Sequence, residues 1–324
     1  MAGLMVLLFG SGLLGLCTGS AGIGVCEIPR ILFQGRGSAE YAILMDIRLP
    51  RIFLGMAIGG ALSLAGALLQ GIFRNPLVEP YTLGISGGAS LGVCISILLK
   101  CHTLIGIMAY PLSGFSGAAL VIFLVYGISR RNRSLRSNRM LLTGVMISYV
   151  ASSLVMLLMA VSHTDDLQNI VLWIMGSLDE PNSGLIRITC LGSVLGLVVS
   201  LFFAVDLNAL LLGDEQAQSL GVNTARTKKR LFLLASFLTG ISVAVAGIIM
   251  FAGLIVPHFI RMTVGPDHRL LLPGSFLAGA VFLTLSDVLA RVVIAPLELP
   301  VGVITGIIGG IGFIWVLSGK KAAL

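Results

Sequence analysis

Ten long apolar runs divide this chain, and its charges are nearly confined to the stretches between them. The runs are residues 2–22, 52–72, 82–100, 104–127, 140–161, 186–205, 231–249, 250–264, 271–293 and 301–318. A hydrocarbon core about 30 Å thick takes about 20 apolar residues per helix. Of 324 residues, 56% are hydrophobic and 11% charged, where a soluble domain carries about 25% charged residues. β-Barrel spans would alternate apolar and polar over about ten residues, whereas these runs are continuously apolar. The chain therefore reads as an all-α, polytopic membrane protein of about ten transmembrane helices, forming a single transmembrane domain over residues 1–324. The eighth run is short and holds Pro257, His258 and Arg261, which points to a half-helix. Residues 1–22 could mimic a signal peptide; a first span fits the charge distribution better.

Two stretches share a broken pattern. Ala65, Gly66, Pro76, Thr82 and Gly84 recur as Ala246, Gly247, Pro257, Thr263 and Gly265, at a constant offset of 181 residues. Each copy follows a related lead-in, Arg51-Ile-Phe-Leu and Arg230-Leu-Phe-Leu, two residues out of register. Repeated hydrophobic segments interrupted by Gly and Pro point to the pathway of a transporter. Gly and Pro are also frequent in membrane helices generally.

With the N-terminus inside and ten spans, 14 of the 21 Lys and Arg fall on the cytoplasmic side. They are Arg74, the run from Arg130 to Arg139, Arg226 to Arg230, Arg261, Arg269, Lys320 and Lys321. The positive-inside rule supports this orientation, with both termini cytoplasmic. The basic run has no interleaved aromatics, so nucleic-acid binding is a poor reading. Of the five cysteines, Cys17, Cys94 and Cys190 lie in spans and read as packing residues. Cys26 and Cys101 could both face outward and pair. No cysteine spacing suits a metal.

Several motifs have two readings. Gly10-Ser-Gly12-Leu-Leu-Gly15 matches a dinucleotide fingerprint but lies inside a span with no preceding strand. No phosphate-binding P-loop is present, so any ATPase, with its ATP and Mg, is a separate chain, and this one carries no cofactor. Gly55-x-x-x-Gly59 and Gly306-x-x-x-Gly310 suit close helix packing in lipid. Gly84-Ile-Ser86-Gly87 with the distant His258 resembles the Ser–His pair of rhomboid intramembrane proteases. That chemistry needs the two side chains within hydrogen-bond reach. An ion-coupled secondary transporter is a further alternative; it predicts a paired acid deep in a span, and only Asp287, near a span end, fits.

Residues 207–222 carry the strongest feature outside the spans. Gly213 breaks the preceding helix, Asp214 can cap a new one, Glu215 suits its positive end, and Gly221 can close it in a left-handed conformation. The result is a two-turn surface helix with Ala217 and Leu220 on one face, suited to a soluble partner. On the outer side, Asp287 and Arg291 stand at i,i+4 in the favourable order, and Arg48 and Arg51 flank Pro50. These arginines either anchor lipid headgroups or form a rim for a partner's carboxylates.

Taken in order, Arg48-Leu-Pro-Arg51, Asn75-Pro76-Leu77, Glu79-Pro80, Trp173-Ile-Met-Gly176, Gly213-Asp214-Glu215-Gln216-Ala217, Gly253-Leu-Ile-Val-Pro257-His258 and Leu299-Pro300-Val301-Gly302 resemble the FecCD-type permeases over about residues 45–317. These are membrane subunits of ABC importers for iron–siderophores, haem and cobalamin. The resemblance implies a type II importer permease with an inverted internal repeat, in the cytoplasmic (inner) membrane. It implies a second permease subunit, two cytoplasmic ABC ATPases and a periplasmic or lipid-anchored substrate-binding protein. Gly213, Asp214, Glu215, Gln216, Ala217, Leu220 and Gly221 would form the coupling helix on the ATPase. Arg48, Arg51 and Arg291 would dock the binding protein, and Gly84, Ser86, Gly87 and Gly88 would line the translocation path. The function it implies is import of an iron complex, ferric siderophore or haem, by alternating access, with cobalamin or an oxyanion as alternatives. Two departures stand out: little chain precedes the first run, and Gly309-Gly310-Ile-Gly312 replaces the family's usual Gly-Ala-Pro sequence.

Overall fold

The computed structural model describes residues 1–19, 22–35, 37–130 and 137–318. Of the expected basic residues, Arg36, Arg131, Arg133, Arg136, Lys320 and Lys321 lie outside the described residues. In chain order the helices are α1 (Ala2–Cys17), α2 (Ile28–Gln34), α3 (Ala39–Ala42), α4 (Leu49–Phe73), α5 (Ile85–Leu98), α6 (His102–Ile105), α7 (Ala109–Arg130) and α8 (Ser137–Ala160). They continue with α9 (Thr164–Met175), α10 (Ser183–Leu201), α11 (Ala204–Leu211), α12 (Asp214–Ser219), α13 (Thr224–Ala246), α14 (Ala252–Val264), α15 (His268–Val292) and α16 (Val301–Ser318). A π-helical turn, Ile43–Arg48, leads into α4, and a 3-10 turn, Pro80–Leu83, leads into α5.

Among the described residues, six helical segments are long and apolar enough to cross a membrane: Ala39–Phe73, His102–Ser129, Arg139–Ala160, Ser183–Leu201, Thr224–Ala246 and His268–Val292. Ala2–Cys17, Ile85–Leu98, Ala252–Val264 and Val301–Trp315 are apolar but shorter. Together they match the ten expected runs. The eighth is the expected half-helix: 13 residues at 1.5 Å each reach about 20 Å, short of a 30 Å core. Besides the short helices α2, α3 and α11 and the expected surface helix α12, α9 had no counterpart among the apolar runs. α9 opens on Asp165 and Asp166 and is amphipathic, with Ile170 buried.

α4 forms the axis of the bundle, and 89% of its apolar window is buried, against 17% for α8 and 22% for α10. Lipid is as apolar as leucine, so helices associate in it through close packing and polar contacts more than through burial. The glycines of α4 provide the close packing. A Cβ on Gly59 would overlap the Gly279 carbonyl of α15, and one on Gly55 would press on Leu178 and Thr284. A Cβ on Gly66 would overlap the Gly253 carbonyl of α14. Further along, Gly71 faces His268, so α4 and α15 run antiparallel. α5 and α7 meet through Gly88 and Gly117, each against the other's carbonyl.

Both copies of the broken pattern contain a long helix, a break and a short helix: α4 and α5, then α13 and α14. The two long helices run in opposite directions. Gly55 near the start of α4 lies by Leu178, and Gly71 near its end lies by Leu207. On α13, Thr227 near the start bonds Asp206, and Ala246 at the end accepts the Ser177 N–H. An inverted repeat requires this arrangement. The five matched residues are nonetheless not equivalent in place. Gly66 is inside α4, whereas Gly247 lies in the second break with φ +69°. The first break comes later, at residues 74–84, because α4 runs on to Phe73 before Arg74 turns left-handed at φ 51°.

Gly309, the glycine shared with Gly-Ala-Pro, has a packing role, since a Cβ there would collide with the side chain of Phe251 at the second break; nothing in the structure explains the change from Ala-Pro at Gly310 and Ile311. Cys26 and Cys101 are both free thiols, so the possible pairing is not formed.

Gly66→Val places a branched side chain against a backbone carbonyl with no room to yield. Overpacking of this kind costs about 3 kcal/mol or more at its upper end. Gly127, with open space around its Cα, provides the control. Thermal unfolding in detergent should show a large fall in Tm for Gly66→Val and little change for Gly127→Ala.

Candidate functional site

Three places carry the expected site residues. The first is the end of the bundle where α4 begins and α15 finishes. Arg48 and Arg51 stand one turn apart, and antiparallel packing sets them beside Asp287 and Arg291. Arg51 Nε and Nη2 both reach Asp287 Oδ1 at 2.9 Å, and its Nη1 reaches Glu298 Oε2 at 2.7 Å. Arg291 Nε lies 3.1 Å from Asp287 Oδ2, a salt bridge not aligned as a hydrogen bond. Arg291 Nη1 donates to Thr18 O at 3.0 Å, and Arg48 Nη1 donates to Leu16 O. These carbonyls end α1, which the guanidinium groups therefore cap, as cations at a helix C-terminus do.

The structure thus brings the three expected docking arginines together, but with their charges turned inward. Arg48 is 4% and Arg291 7% exposed, and Asp287, which bridges Arg51 and Arg291, is 2% exposed. Glu298 is the outermost member, with its side chain 53% exposed. The role of α1 was not legible in the sequence, because backbone carbonyls leave no residue signature.

The second place is a cavity of about 440 Å³ between α5, α8 and α9. Ser86, Gly87, Ser90, Ser152 and Met156 line it, together with Ile248 from the second break. Of the four expected path residues, Ser86 and Gly87 reach the cavity. Gly84 packs against Gly144 and Val121, and Gly88 against Gly117, so these two serve helix contacts. Among the described residues, no charged one lines the cavity. His258 lines a different cavity, beside Gln70 and Arg74, so Ser86 and His258 do not form the pair that the protease alternative needs.

The third place is α12, at the opposite end from the arginine cluster. Arg48 and Arg74 bound α4, and 26 residues at 1.5 Å separate the two ends by about 39 Å. The expected start and stop of α12 are partly corrected. Gly213, at φ +120°, is the N-cap, and no side chain caps it. Asp214 is the first helical residue, and its carboxylate instead takes Lys228 Nζ at 2.7 Å through both oxygens. An ammonium one helix away is a stronger partner for a carboxylate than a local N–H. Gly221 closes the turn at φ +88° as expected. Ala217 and Leu220 do not share an exposed face. Ala217 is fully buried and anchors α12 to the core, while Leu220 is 64% exposed beside exposed Glu215 and Gln216. At this same end Asp267 caps α15, and the N–H of Arg269, followed by the Asn208 amide, holds its carboxyl below the usual range.

Sequence reasoning also missed the polar residues that join the two breaks. Glu79 accepts the Phe251 N–H at 2.8 Å, Tyr81 Oη accepts that of Ile249 at 3.1 Å, and Ser63 donates to Ala252 O at 2.8 Å. The buried Gln70 amide faces the carbonyls of Gly253 and Leu254. An acid and an amide inside apolar surroundings were the available signal, since such groups are rarely buried without a partner.

Asp287→Asn tests the arginine cluster. Removing one member of a buried ion pair costs about 3–5 kcal/mol, whereas a half-exposed pair contributes about 1 kcal/mol or less. Asp287→Asn should therefore lower Tm strongly and Glu298→Gln only slightly; equal effects would show that Asp287 does not hold the cluster.

Comparison with known proteins agrees with this architecture. The profile of the FecCD transport family matches residues 6–319. The hemin transport system permease HmuU of Yersinia pestis is 39% identical over 317 residues, covering 94% of this chain and 92% of the relative. The Fe(3+) dicitrate transport system permease FecD of Escherichia coli is 39% identical, covering 97% and 98%. The vitamin B12 import permease BtuC of Yersinia enterocolitica is 36% identical, covering 99% and 93%. A solved metal-chelate type ABC transporter in an inward-facing conformation superposes with a TM-score of 0.85 at 32% identity, over 96% of each chain. The chain belongs to the FecCD transport family and is a permease subunit of an ABC importer.

Proposed function

We propose that this permease carries an iron complex, a ferric siderophore or haem, across the cytoplasmic membrane by alternating access. The observation that carries this reading is the charge-free cavity where the two broken segments meet, Ser86 and Gly87 from one and Ile248 from the other. Hydroxyls, thioethers and methyls suit a chelate whose metal charge is masked by its own ligand. They offer no fixed charge to hold it, so the cargo can leave as readily as it enters. An iron complex is chosen because two relatives are named for hemin and ferric dicitrate; cobalamin, named for another, is the alternative.

Transport in this reading needs partners. A second permease copy completes the path, and two ABC ATPases hydrolyse ATP with Mg on the cytoplasmic side. The end carrying α12 faces them, with both termini on that side. Leu220, Glu215 and Gln216 would form the contact, and buried Ala217 would transmit its movement to the core. A substrate-binding protein docks at the opposite end over Arg48, Arg51 and Arg291. There its carboxylates would replace the half-exposed Glu298 on Arg51.

The test of the cargo is growth of a deletion strain, complemented with this gene, on hemin, ferric dicitrate or a ferric siderophore as sole iron source, with a parallel cobalamin-dependent assay. Rescue on an iron source is expected; rescue confined to cobalamin would overturn the iron reading. The ATPase contact has its own test. Leu220→Asp should reduce co-purification of the ATPase at least tenfold while leaving the Tm of the permease unchanged. A stable complex would remove α12 from that role.

A further inference from the structure

Two arginines and a histidine line a pocket that holds no carboxylate. Arg74 ends α4, while His258 and Arg261 lie on α14, and with Gln70, Leu211 and Met262 they border a cavity of about 380 Å³. Arg261 is half-buried, and its Nη2 donates to the neutral Oε1 of Gln70 at 2.9 Å. The Gln70 amide nitrogen faces the carbonyls of Gly253 and Leu254, which orients Oε1 toward Arg261. Among the described residues, no carboxylate lies within ion-pair distance of Arg74 or Arg261. Asp267, on the same end, is held by the Asn208 amide and the Arg269 N–H. His258 Nδ1 is buried with no partner. The contrast with the arginine cluster at the other end is direct, since there Asp287 and Glu298 answer the guanidinium charges.

The geometry points to a binding site for a phosphate-bearing anion in this pocket. A guanidinium presents paired N–H donors that match phosphate oxygens, and a partly desolvated cation without a counter-charge is costly until one arrives. The rim adds a second constraint. Met262 is 55% exposed and Leu211 38%, so apolar side chains stand at the rim beside the exposed Arg74 and the half-buried Arg261. The headgroup of an anionic phospholipid in the cytoplasmic leaflet meets both demands, because basic pockets between helices on that side bind such headgroups. Free phosphate meets the first alone. The site rests on the reading that this end faces the cytoplasm, and it lies beside α12: a Cβ on Gly213 would come 3.5 Å from Arg74 Nη1.

The full permease, purified with its ATPases in mild detergent, tests this by native mass spectrometry and by thermal shift with inorganic phosphate. The parent should retain phosphatidylglycerol or cardiolipin in preference to phosphatidylethanolamine, and Arg261→Lys and Arg74→Gln should each lower that retention at least tenfold. Stabilisation by millimolar phosphate with the same dependence on Arg261, but without lipid retention, would assign the site to the free anion. Equal retention in parent and variants, or no binding of either ligand, would overturn the proposal. Arg74→Gln alters only an exposed C-cap, so it decides the matter if Arg261→Lys fails to assemble. In a background with the native cysteines replaced by Ser, since Cys26 and Cys101 are free thiols, labelling of Arg74→Cys by an impermeant thiol reagent from the outer side alone would refute the orientation and leave the binding result standing.

Discussion

The structure depends on how one interruption in a membrane helix is satisfied. Between Ala246 and Ala252 the chain leaves helical geometry, and at membrane depth a freed N–H or C=O has no water to turn to. Several neighbouring segments contribute partners. The Ser177 N–H after α9 takes Ala246 O. Tyr81 and Glu79, in the first break, take the N–H groups of Ile249 and Phe251. Ser63 and Gln70, on α4, serve the carbonyls from Ala252 to Leu254. The second break is thus stitched to the first break and to the axial helix, over separations of 168 to 189 residues in sequence.

That stitching explains the small residues around it. Ser63 and Gln70 can reach the start of α14 only if α4 lies close to it, and the facing Gly66 and Gly253 allow this. Gly302 of α16 packs in the same way against the carbonyls of Met175 and Ile248. Hydrogen bonding and close packing therefore require each other. Without the glycines the polar groups could not meet, and without the polar groups the broken backbone would not tolerate burial.

How much of this was legible follows from the range of each signal. The ten apolar runs and the half-length of the eighth are local properties of the sequence, and they match the helices to within seven residues at either end. Left-handed Gly221 was legible for the same reason. The inward turn of Arg48, Arg51 and Arg291 was not, because their partners include the carbonyls of Gly15, Leu16 and Thr18, more than 30 residues from Arg48 and more than 270 from Arg291. Asp214 followed a nonlocal rule as well: Lys228 lies 14 residues away and outcompeted the cap position. The constant offset between the two copies was real as sequence, yet it did not mark equivalent places, since spacing does not say where a helix will end.

The two sides of the bundle are held by different physics. α4, α14 and the segment around Glu79 are joined through side-chain-to-backbone hydrogen bonds at the second break, and α4 meets α14 and α15 through backbone glycine contacts and holds α15 through Arg51 and Asp287. Sliding any one of them would leave buried polar groups unpaired, at about 1–3 kcal/mol each. By contrast, α8 meets α5 through Gly144, Ser148 and Ala151 against Leu83, Gly84 and Gly87, with no hydrogen bond between their side chains among the described residues. The Ser148 hydroxyl there is itself without a partner. Sliding there would leave no hydrogen-bonded group newly unpaired, although its van der Waals contacts, about 0.1–0.2 kcal/mol per atom pair, are large when summed. The cavity lined by Ser86, Gly87, Ser152 and Ile248 lies between the hydrogen-bonded unit and this more loosely held helix. Because α8 makes none of the stitching hydrogen bonds, its contacts border that cavity without involving either break's polar partners.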